Sequence, residues 1–364
     1  MSAAGTAFVT GGTGFVGSFL IAALLSRGWR VVALVRGPQA AARLRTVLGV
    51  GATLDALRVV EGDVCAERFG LGAAAAEIVA GVDEVWHCAA SFEARPDGRT
   101  ELREVNVEGT RRVLEFAAGG RQGRGAAMWH VSTAFAAPVY DGFAREEVAP
   151  ADRPGRNAYE CSKQEAERLV LRAVRDRGLR ARIFRPSIIV GESRTGRAAG
   201  FAAYYDIVRA LHRLTGRGGE PLRIQVRDGL RLNLVPVDFV VEAMWRLARA
   251  PAEPGTVFHV VNDVPVSTAE LHAGLARTPG LAALVPVEAA AFRERPRTPP
   301  ERALERMTRF EADYLGEEMR FDAARFRRAV PIAELPCPRI DAAFLERINR
   351  AFLAAVGKRG EAGR

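Results

Sequence analysis

Tyr159 and Lys163 are the residues of this chain whose types and spacing best suit catalysis. The 364 residues include 52 lysines and arginines, yet only Lys163 and Lys358 are lysines. Since arginine fills almost every other cationic position, we infer that residue 163 needs a compact ammonium that a planar guanidinium cannot replace. An ammonium beside a phenol lowers the pKa of that phenol, which can then pass a proton to a carbonyl oxygen while hydride adds to the carbon.

The elements that must position this pair are those of a layered α/β fold. Up to about residue 190, short apolar strands alternate with amphipathic helices, a pattern typical of a parallel sheet built from strand–helix–strand units. A helix predicted over Asn157–Arg177 places Tyr159 and Lys163, four residues apart, on one face. The predicted strands are Ala7–Thr10, Arg30–Val35, Arg58–Glu61, Glu84–Cys88, Met128–Ser132 and Arg182–Ile189.

A glycine-rich segment follows the first predicted strand and opens the first predicted helix. Gly11 allows a tight turn, Gly14 lets the backbone approach a pyrophosphate, and Gly17 lets the helix pack closely against the strand. The helix then offers backbone N–H groups and the positive end of its dipole to the phosphates. In this context the segment predicts a dinucleotide site on a Rossmann-type, doubly wound parallel sheet. The residues expected to contact the dinucleotide are Gly11, Thr13, Gly14, Phe15, Val16 and Gly17.

Arg36, at the end of the second predicted strand, bears on the choice of dinucleotide. Enzymes that use NAD place an acid near this point to hold the ribose 2′-hydroxyl, whereas this chain has an arginine and no acid there. A guanidinium suits a 2′-phosphate, so we expect NADPH as the cofactor. The alternative is an exposed arginine that has no such role.

The composition argues against several other classes of protein. The formal net charge of +9 comes from arginines scattered along the chain, with no basic block of the kind that binds nucleic acid. No apolar run approaches the ~18 residues of a membrane span, and no signal-type segment opens the sequence. The four cysteines lack ligand spacing, so we expect no metal site and a cytoplasmic protein. The sequence leaves open whether the protein forms a homodimer.

The pattern becomes irregular after Val190. We predict an NADP(H)-binding domain over residues 1–190, with parts of 230–265 returning to its sheet. Residues 191–356 are predicted to form a smaller, mostly helical substrate lobe, and residues 357–364 a disordered tail. Within the lobe, Leu222–Val226 and Arg231–Val235 are predicted as a pair of short strands, and Arg293–Arg302 as a loop.

Several motifs, taken in order, resemble those of the extended short-chain dehydrogenase/reductases. They are the glycine segment, Gly62-Asp63-Val64, His87-Cys88-Ala89-Ala90, Asn106-Val107-Glu108-Gly109-Thr110, Val131-Ser132-Thr133 and Tyr159-x-x-x-Lys163. The resemblance covers roughly residues 5 to 265. It implies that Asp63 and Val64 lie near the adenine, that Ala89 and Ala90 lie beside the cofactor, and that Asn106 has a structural or active-site role.

The same resemblance implies a catalytic set of Thr133, Tyr159 and Lys163, of which the last two also contact the cofactor. Thr133 stands at the carboxyl end of a predicted strand, where such sheets bind their ligands, and its hydroxyl can hydrogen-bond the reacting oxygen. Ser132 remains its rival, because a single sequence does not exclude a shift by one residue.

Other segments resemble one branch of that family, the fatty acyl-CoA reductases (male-sterility proteins) and thioester reductase domains. They are Val85–Ala90, His130–Phe135 and Phe184-Arg185-Pro186-Ser187-Ile188. Sugar dehydratases of the family carry an Asp-Glu pair after the catalytic threonine, whereas this chain has Ala134-Phe135 and so lacks an acid and base for water elimination. The resemblance implies NADPH-dependent reduction of a CoA- or carrier-bound acyl thioester to an aldehyde, with Pro186 and Ser187 beside the cofactor.

Other functions stay open on the sequence alone. The main alternative is a ketone or aldehyde reductase of specialised metabolism that uses the same three residues. A nucleotide-sugar epimerase is less favoured, and so is a non-catalytic dinucleotide sensor, because both Tyr159 and Lys163 are present. The aromatic residues that form either an apolar wall for substrate or ordinary helix packing are Phe201, Tyr204 and Tyr205.

Overall fold

Strands and helices alternate through the first half of the chain. A computed structural model describes residues 4–48, 54–92, 99–120, 125–198, 204–215, 221–225, 229–308, 314 and 318–361. The strands are β1 (Thr6–Thr10), β2 (Arg30–Val35), β3 (Leu57–Glu61), β4 (Glu84–His87), β5 (Ala127–Val131), β6 (Val139–Tyr140), β7 (Phe143–Ala144), β8 (Ala181–Pro186), β9 (Ile188–Val190), β10 (Leu222–Gln225), β11 (Arg231–Leu232), β12 (Leu234–Pro236), β13 (Val257–Val260), β14 (Val266–Ser267), β15 (Leu284–Val287) and β16 (Arg320–Phe321).

Helices flank these strands. They are α1 (Phe15–Ser26), α2 (Ala40–Leu48), α3 (Ala74–Ala80), α4 (Arg99–Leu102), α5 (Gly109–Ala118), α6 (Ala158–Arg177), α7 (Tyr204–Leu214), α8 (Val237–Arg249), α9 (Thr268–Ala276), α10 (Ala289–Glu294), α11 (Pro299–Met307), α12 (Ala324–Ala329) and α13 (Ala342–Glu361). A π-helical turn, Arg103–Glu108, lies between α4 and α5.

Seven parallel strands form the main sheet in the order β13–β8–β5–β4–β1–β2–β3. The chain therefore winds outward in both directions from β1 and β4, and the predicted doubly wound Rossmann-type fold is confirmed. The strands are almost continuously apolar in sequence because the sheet is buried. For example, directly paired residues on five neighbouring strands all lie in the hydrophobic core. These paired residues, from β2, β1, β4, β5 and β8 in turn, are Val32, Phe8, Val85, Met128 and Ala181.

The chain divides into two compact units. The first unit comprises Met1–Pro186, Val240–Val260 and Phe321–Leu335. The second comprises Ser187–Phe239, Val261–Arg320 and Pro336–Arg364. The chain thus leaves the first unit after Pro186 and returns to it twice, and the first return brings β13 to the edge of the main sheet beside β8.

The strand predicted over Arg182–Ile189 is in fact two strands. β8 ends at Pro186, and β9 pairs in parallel with β12 in a separate two-stranded sheet. Proline cannot donate a hydrogen bond to a neighbouring strand, which favours a break at this point. The predicted pairing of Leu222–Val226 with Arg231–Val235 is also wrong, because β10 pairs with β15 and β11 pairs with β14. A local apolar pattern does not identify a distant partner strand.

Two predictions for the C-terminal half differ from the structure. The segment Arg293–Arg302 is not a continuous loop, since α10 runs to Glu294 and α11 begins at Pro299. The start of α11 is a capping box, in which the Thr298 hydroxyl accepts the N–H of Glu301 and the Glu301 carboxylate accepts the N–H of Thr298. Helix α13 continues to Glu361, although disorder was predicted from residue 357.

Several helices of the second unit pack closely against one another. Gly274 of α9 packs so closely on α13 that an added Cβ would meet the side chain of Leu345. Tyr204 is buried and donates its hydroxyl to Asn349 Oδ1 at 3.0 Å, and the ring of Tyr205 packs 5.1 Å from that of Phe352. These tyrosines therefore pack between helices, while Phe201 lies outside the described residues.

Candidate active site

The glycine segment forms a tight turn between β1 and α1. Gly11 has a φ of +68°, which favours glycine, and a Cβ there would lie 2.6 Å from the backbone nitrogen of Ala89. A Cβ on Gly17 would overlap the carbonyl oxygen of Gly11. Gly14 precedes the first residue of α1 and offers no side chain to cap it. The cradle thus fits a pyrophosphate, which would lie against the N–H groups at the start of α1.

The other predicted cofactor contacts lie in the glycine turn itself or directly after neighbouring strands, and Ala89 of these directly contacts Gly11. Thr13, Phe15 and Val16 are partly buried at the start of α1, and Ala89 and Ala90 are partly buried after β4. Val64 is buried after β3 and packs in the core of the first unit. All of them follow the carboxyl ends of parallel strands, where sheets of this type bind nucleotides.

Arg36 and Asp63 lie at the ends of the adjacent strands β2 and β3. The side chain of Arg36 is 72% exposed, and its Nη1 lies 3.9 Å from Asp63 Oδ2. Asp63 also accepts the N–H of Cys65 at 2.9 Å through Oδ1. A carboxylate therefore lies near Arg36 after all, contributed by the next strand rather than by β2.

A buried hydrogen-bonded chain links β1, β4 and α5, and the sequence reasoning did not predict it. The Thr110 hydroxyl donates to the carbonyl of Asn106 at 2.6 Å, so it accepts from His87 Nε2 at 2.9 Å. His87 Nδ1 is then the acceptor for the Thr10 hydroxyl, at 2.7 Å. Burial lowers the pKa of His87 to about 3, with a smaller contribution from Lys163, so the ring stays neutral. In the sequence, the threonines at positions 10 and 110 are the features that could have indicated this hydrogen-bonded chain.

Asn106 lies in the π-helical turn and is 1% exposed. Its Oδ1 accepts the N–H of Ser91 at 2.8 Å, and its Nδ2 donates to the carbonyl of Ser91 at 3.0 Å. Nδ2 also donates to the hydroxyl of Ser162 at 2.9 Å. Asn106 therefore joins the loop after β4 to helix α6, next to Lys163.

Helix α6 carries Tyr159 and Lys163 on one face, as the spacing predicts. Asn157 caps the helix by accepting the N–H of Glu160 at 3.0 Å, and Gly178 ends it with a φ of +64°. Tyr159 is 7% exposed and Lys163 1%. Lys163 Nζ donates to the carbonyl of Val131, the last residue of β5, at 2.9 Å. Burial lowers the pKa of Lys163 to about 8, against the opposing charge of Glu167.

The two candidate hydroxyls follow β5 directly. Thr133 Oγ1 accepts the N–H of Phe135 at 3.4 Å, which caps a short 3₁₀ turn, and the residue is 7% exposed. Ser132 Oγ is buried and has no hydrogen-bond partner among the described residues. Both hydroxyls thus come within two residues of the carbonyl that holds Lys163.

The last two predicted cofactor residues fall in different units. Pro186 is the final residue of β8 in the first unit. Ser187 begins the second unit, where its hydroxyl donates to Asn233 Oδ1 at 2.7 Å. That hydroxyl already has a partner within its own unit.

Neither a metal site nor a membrane span is found in the described part of the chain. No group of three or more histidine, cysteine, aspartate or glutamate side chains could hold a metal ion there. No helix among the described residues is long and apolar enough to cross a bilayer.

The sequence and this geometry together match known proteins. Residues 9–244, more than half of the chain, match the model of a NAD-binding family described as male sterility protein. The chain belongs to the male sterility protein family. The predicted membership of the extended short-chain dehydrogenase/reductases is thereby confirmed, and the match to this NAD-binding family includes the glycine turn, Thr133, Tyr159 and Lys163.

Two curated relatives and one solved structure illustrate the range of similar proteins. A glycine betaine reductase, ATRR, of Emericella nidulans is 32% identical over 283 residues, which are 72% of this chain and 21% of that protein. A non-canonical nonribosomal peptide synthetase, cpsA, of Aspergillus campestris is 30% identical over 278 residues, 71% of this chain and 26% of that protein. This male sterility family member therefore spans about a quarter or less of those relatives.

The solved structure is the terminal R domain from the myxalamid PKS-NRPS biosynthetic pathway. It aligns with a TM-score of 0.79 and 26% identity, over 99% of this chain and 92% of that domain. Both units of this male sterility family member thus have counterparts in a solved domain of nearly the same length.

Proposed function

We propose that this protein is an NADPH-dependent reductase that converts an acyl thioester, bound to a carrier protein or to CoA, to an aldehyde. The observation that carries the proposal is the alignment of 99% of the chain with the terminal R domain of a PKS-NRPS pathway. The similarity to a nonribosomal peptide synthetase supports a carrier-bound substrate.

The proposed roles of the side chains follow from their positions. Thr133 and Tyr159 hydrogen-bond the thioester oxygen, and the phenol of Tyr159 donates its proton as negative charge develops there. Lys163, held at the carbonyl of Val131, keeps an ammonium near that phenol and favours its ionised form after proton transfer. The nicotinamide cofactor supplies the hydride when bound. The resulting hemithioacetal returns its hydroxyl proton to the Tyr159 phenolate as the C–S bond breaks, so the aldehyde forms and sulfur leaves with the bonding electrons as a thiolate, which takes a proton from water.

A separate nucleophile is unnecessary, because a thiolate is a good leaving group. Cys161 lies between Tyr159 and Lys163 in sequence, yet its Sγ contacts the carbonyl of Gly155 at 3.4 Å, in the loop before α6. Burial raises the pKa of Cys88 to about 12, which keeps that thiol protonated. The proposed reaction therefore relies on hydrogen bonding and proton donation.

The experiment that tests the reaction follows thiol release and NADPH oxidation together. The substrates are a panel of acyl-CoAs and acylated carrier proteins, with ketones and aldehydes beside them, and the control variant is Tyr159→Phe. We expect equimolar thiol release and NADPH oxidation with thioesters, lost in the variant. Oxidation of NADPH by ketones without thiol release from any thioester would instead support a carbonyl reductase.

Thr133 is the hydroxyl that we propose for the active site, rather than Ser132. Its side chain turns toward the 3₁₀ segment after β5, beyond the carbonyl that holds Lys163. We expect Thr133→Ala to lower kcat by about 10²-fold or more, as loss of an oxyanion donor does, and Ser132→Ala to have a much smaller effect. The reverse ranking would assign the role to Ser132.

A further inference from the structure

An ion pair between Glu167 and Arg185 is completely buried beside helix α6. Arg185 Nε donates to Glu167 Oε1 at 2.7 Å and Nη2 to Oε2 at 2.5 Å, and both side chains are 0% exposed. The other guanidinium hydrogens reach the carbonyls of Arg145 at 3.1 Å and Glu147 at 2.8 Å, and His259 Nε2 at 3.3 Å. All five N–H donors of Arg185 therefore have acceptors.

The position of Glu167 relates this pair to catalysis. Glu167 follows Lys163 by four residues and Tyr159 by eight on α6, so the three side chains share one face of the helix. A buried ion pair contributes little net stability compared with apolar side chains of similar size, because both charges lose their hydration. Stability alone is thus a poor reason for burying these two charges here.

Lys163 needs a negative charge nearby. The side chain is 1% exposed, and a buried ammonium without a counter-charge is costly. The other titratable groups that face it are Tyr159 on its own helix, His87 on β4, Cys88 after β4 and His130 on β5.

Among these neighbours only Cys88 raises the pKa of Lys163, and it does so less than Glu167. Burial holds the pKa of His87 near 3 and that of His130 well below its usual value, so both rings are neutral. Burial also raises the pKa of the Cys88 thiol to about 12. Within the described part of the chain, the carboxylate that raises the pKa of Lys163 is that of Glu167.

We propose that Glu167 is a positioning residue that keeps Lys163 in its ammonium form, and that Arg185 holds the Glu167 carboxylate in one orientation. The fork of Arg185 is itself fixed by two backbone carbonyls and His259, so the carboxylate has no freedom to turn away. A neutral amine at residue 163 would not support an ionised Tyr159. The inference rests on the roles proposed above for Tyr159 and Lys163.

The scarcity of lysine makes a direct test practical. Incorporation of ¹³C-labelled lysine places label only at Lys163 and Lys358, and Lys163→Arg assigns the two signals. We expect the Lys163 signal to titrate with a midpoint of about 8 in the wild type. In Glu167→Gln the midpoint should fall by about one pH unit or more, the effect of removing an opposite charge at this range.

Two further variants complete the comparison. Glu165→Gln removes a carboxylate from the same helix that is 35% exposed and pairs with Arg103, so it should leave the midpoint unchanged. Glu167→Gln leaves Arg185 unpaired in the interior, which threatens folding. The double variant Glu167→Met with Arg185→Met removes both charges at similar volume, and we expect a smaller fall in its midpoint, because the positive charge of Arg185 is lost together with the carboxylate.

Two results would overturn the proposal. One is an unchanged Lys163 midpoint in whichever of the two Glu167 variants folds. The other is a wild-type midpoint below pH 7, which would mean that Glu167 does not keep the ammonium at neutral pH, whether or not the variants fold. The titration uses neither substrate nor cofactor, so its result is independent of the thioester assay.

Discussion

Lys163 shows how a single side chain can be both buried and charged. Loss of hydration lowers its pKa to about 8, but the ammonium is retained at neutral pH because Glu167 opposes that effect. Within the described part of the chain its ammonium donates to the carbonyl of Val131, which leaves two N–H groups for other partners. These are the properties expected of a lysine that must contact both a ribose and a phenol.

We expect Lys163→Arg to be nearly as damaging to turnover as Lys163→Ala. The side chain is 1% exposed and its Nζ lies 2.9 Å from the Val131 carbonyl, so a longer, planar guanidinium does not fit the same contacts. The measurement is kcat for both variants, with Lys358→Arg as the control that should match the wild type. A Lys163→Arg variant that melts normally and keeps most of the turnover would contradict this.

Arg36 should determine the preference for NADPH over NADH. Its side chain is 72% exposed and its contact with Asp63 is long, at 3.9 Å, so the guanidinium is available to a 2′-phosphate. A charge-assisted hydrogen bond contributes roughly 1.5–3 kcal/mol, or about 10- to 150-fold in affinity. Arg36→Ala should lose a preference of that size in measured Kd values, while Arg43→Ala, exposed on α2, should not. Equal affinities of the wild type for the two cofactors would refute the prediction.

Individual elements are positioned by close backbone contacts as well as by side chains. Helix α6 begins at a side-chain cap and ends at a left-handed glycine, which defines the stretch that carries Tyr159, Lys163 and Glu167. In the second unit, helices α9 and α13 approach each other at Gly274, where a side chain would overlap Leu345. Such contacts make the packing of two helices depend on one residue.

Gly274→Ala should therefore destabilise the protein although alanine is the better helix former. The added Cβ must displace Leu345, and overpacking of this kind costs about 1–3 kcal/mol. At Gly357, in α13, an added Cβ would meet no described atom within 4 Å, so Gly357→Ala should be neutral or stabilise by about 0.5–1 kcal/mol. Urea unfolding of both variants checks the contrast, and equal effects would argue against the close contact.

Considered as a whole, the first unit depends on segments that are far apart in sequence. Glu146 joins them, since its carboxylate accepts the backbone N–H groups of His259 at 2.8 Å, Arg325 at 2.6 Å and Phe326 at 3.2 Å. Burial raises the pKa of Glu146 to about 7, more than these N–H groups lower it. The returning segment of residues 321–335 is thus attached through a carboxyl group that titrates near neutral pH.

The stability of the protein should fall between pH 5 and pH 8 because of Glu146. Its pKa is higher in the folded state than the ordinary value of 4.5, so the folded state binds the proton more tightly. The stabilisation is complete below about pH 4.5 and is lost as the pH rises through about 7. This pH-dependent part of the free energy of unfolding amounts to at most about 3 kcal/mol.

The measurement is the free energy of unfolding at pH 5 and pH 8. The free energy of unfolding of the Glu146→Gln variant should be lower by a constant amount, because a hydrogen-bond acceptor is lost. It should not show the fall between pH 5 and pH 8 that comes from titration of Glu146. Glu115→Gln, on the exposed side of α5, serves as the control and should follow the wild type. A wild-type protein whose stability rises over this range relative to Glu146→Gln would show that the carboxylate is the favoured buried form.

The sequence by itself determined the features that depend on a few neighbouring residues. The glycine turn, the alternation of strands and helices, and the spacing of Tyr159 and Lys163 on α6 all reflect local conformational preferences and helix geometry, and each was predicted. The cap of α11 was local as well, but the proline and arginine content of Arg293–Arg302 favoured a loop and obscured it.

Only the tertiary structure decided which distant residues meet. The pairing of β9 with β12 and of β10 with β15 joins segments whose local patterns carry no information about a partner. The same holds for Asp63 beside Arg36 and for Arg185 beside Glu167, which come from separate elements. The charge on Lys163 depends on burial and on neighbours gathered by the fold, because desolvation and Coulomb interactions act through space rather than along the chain.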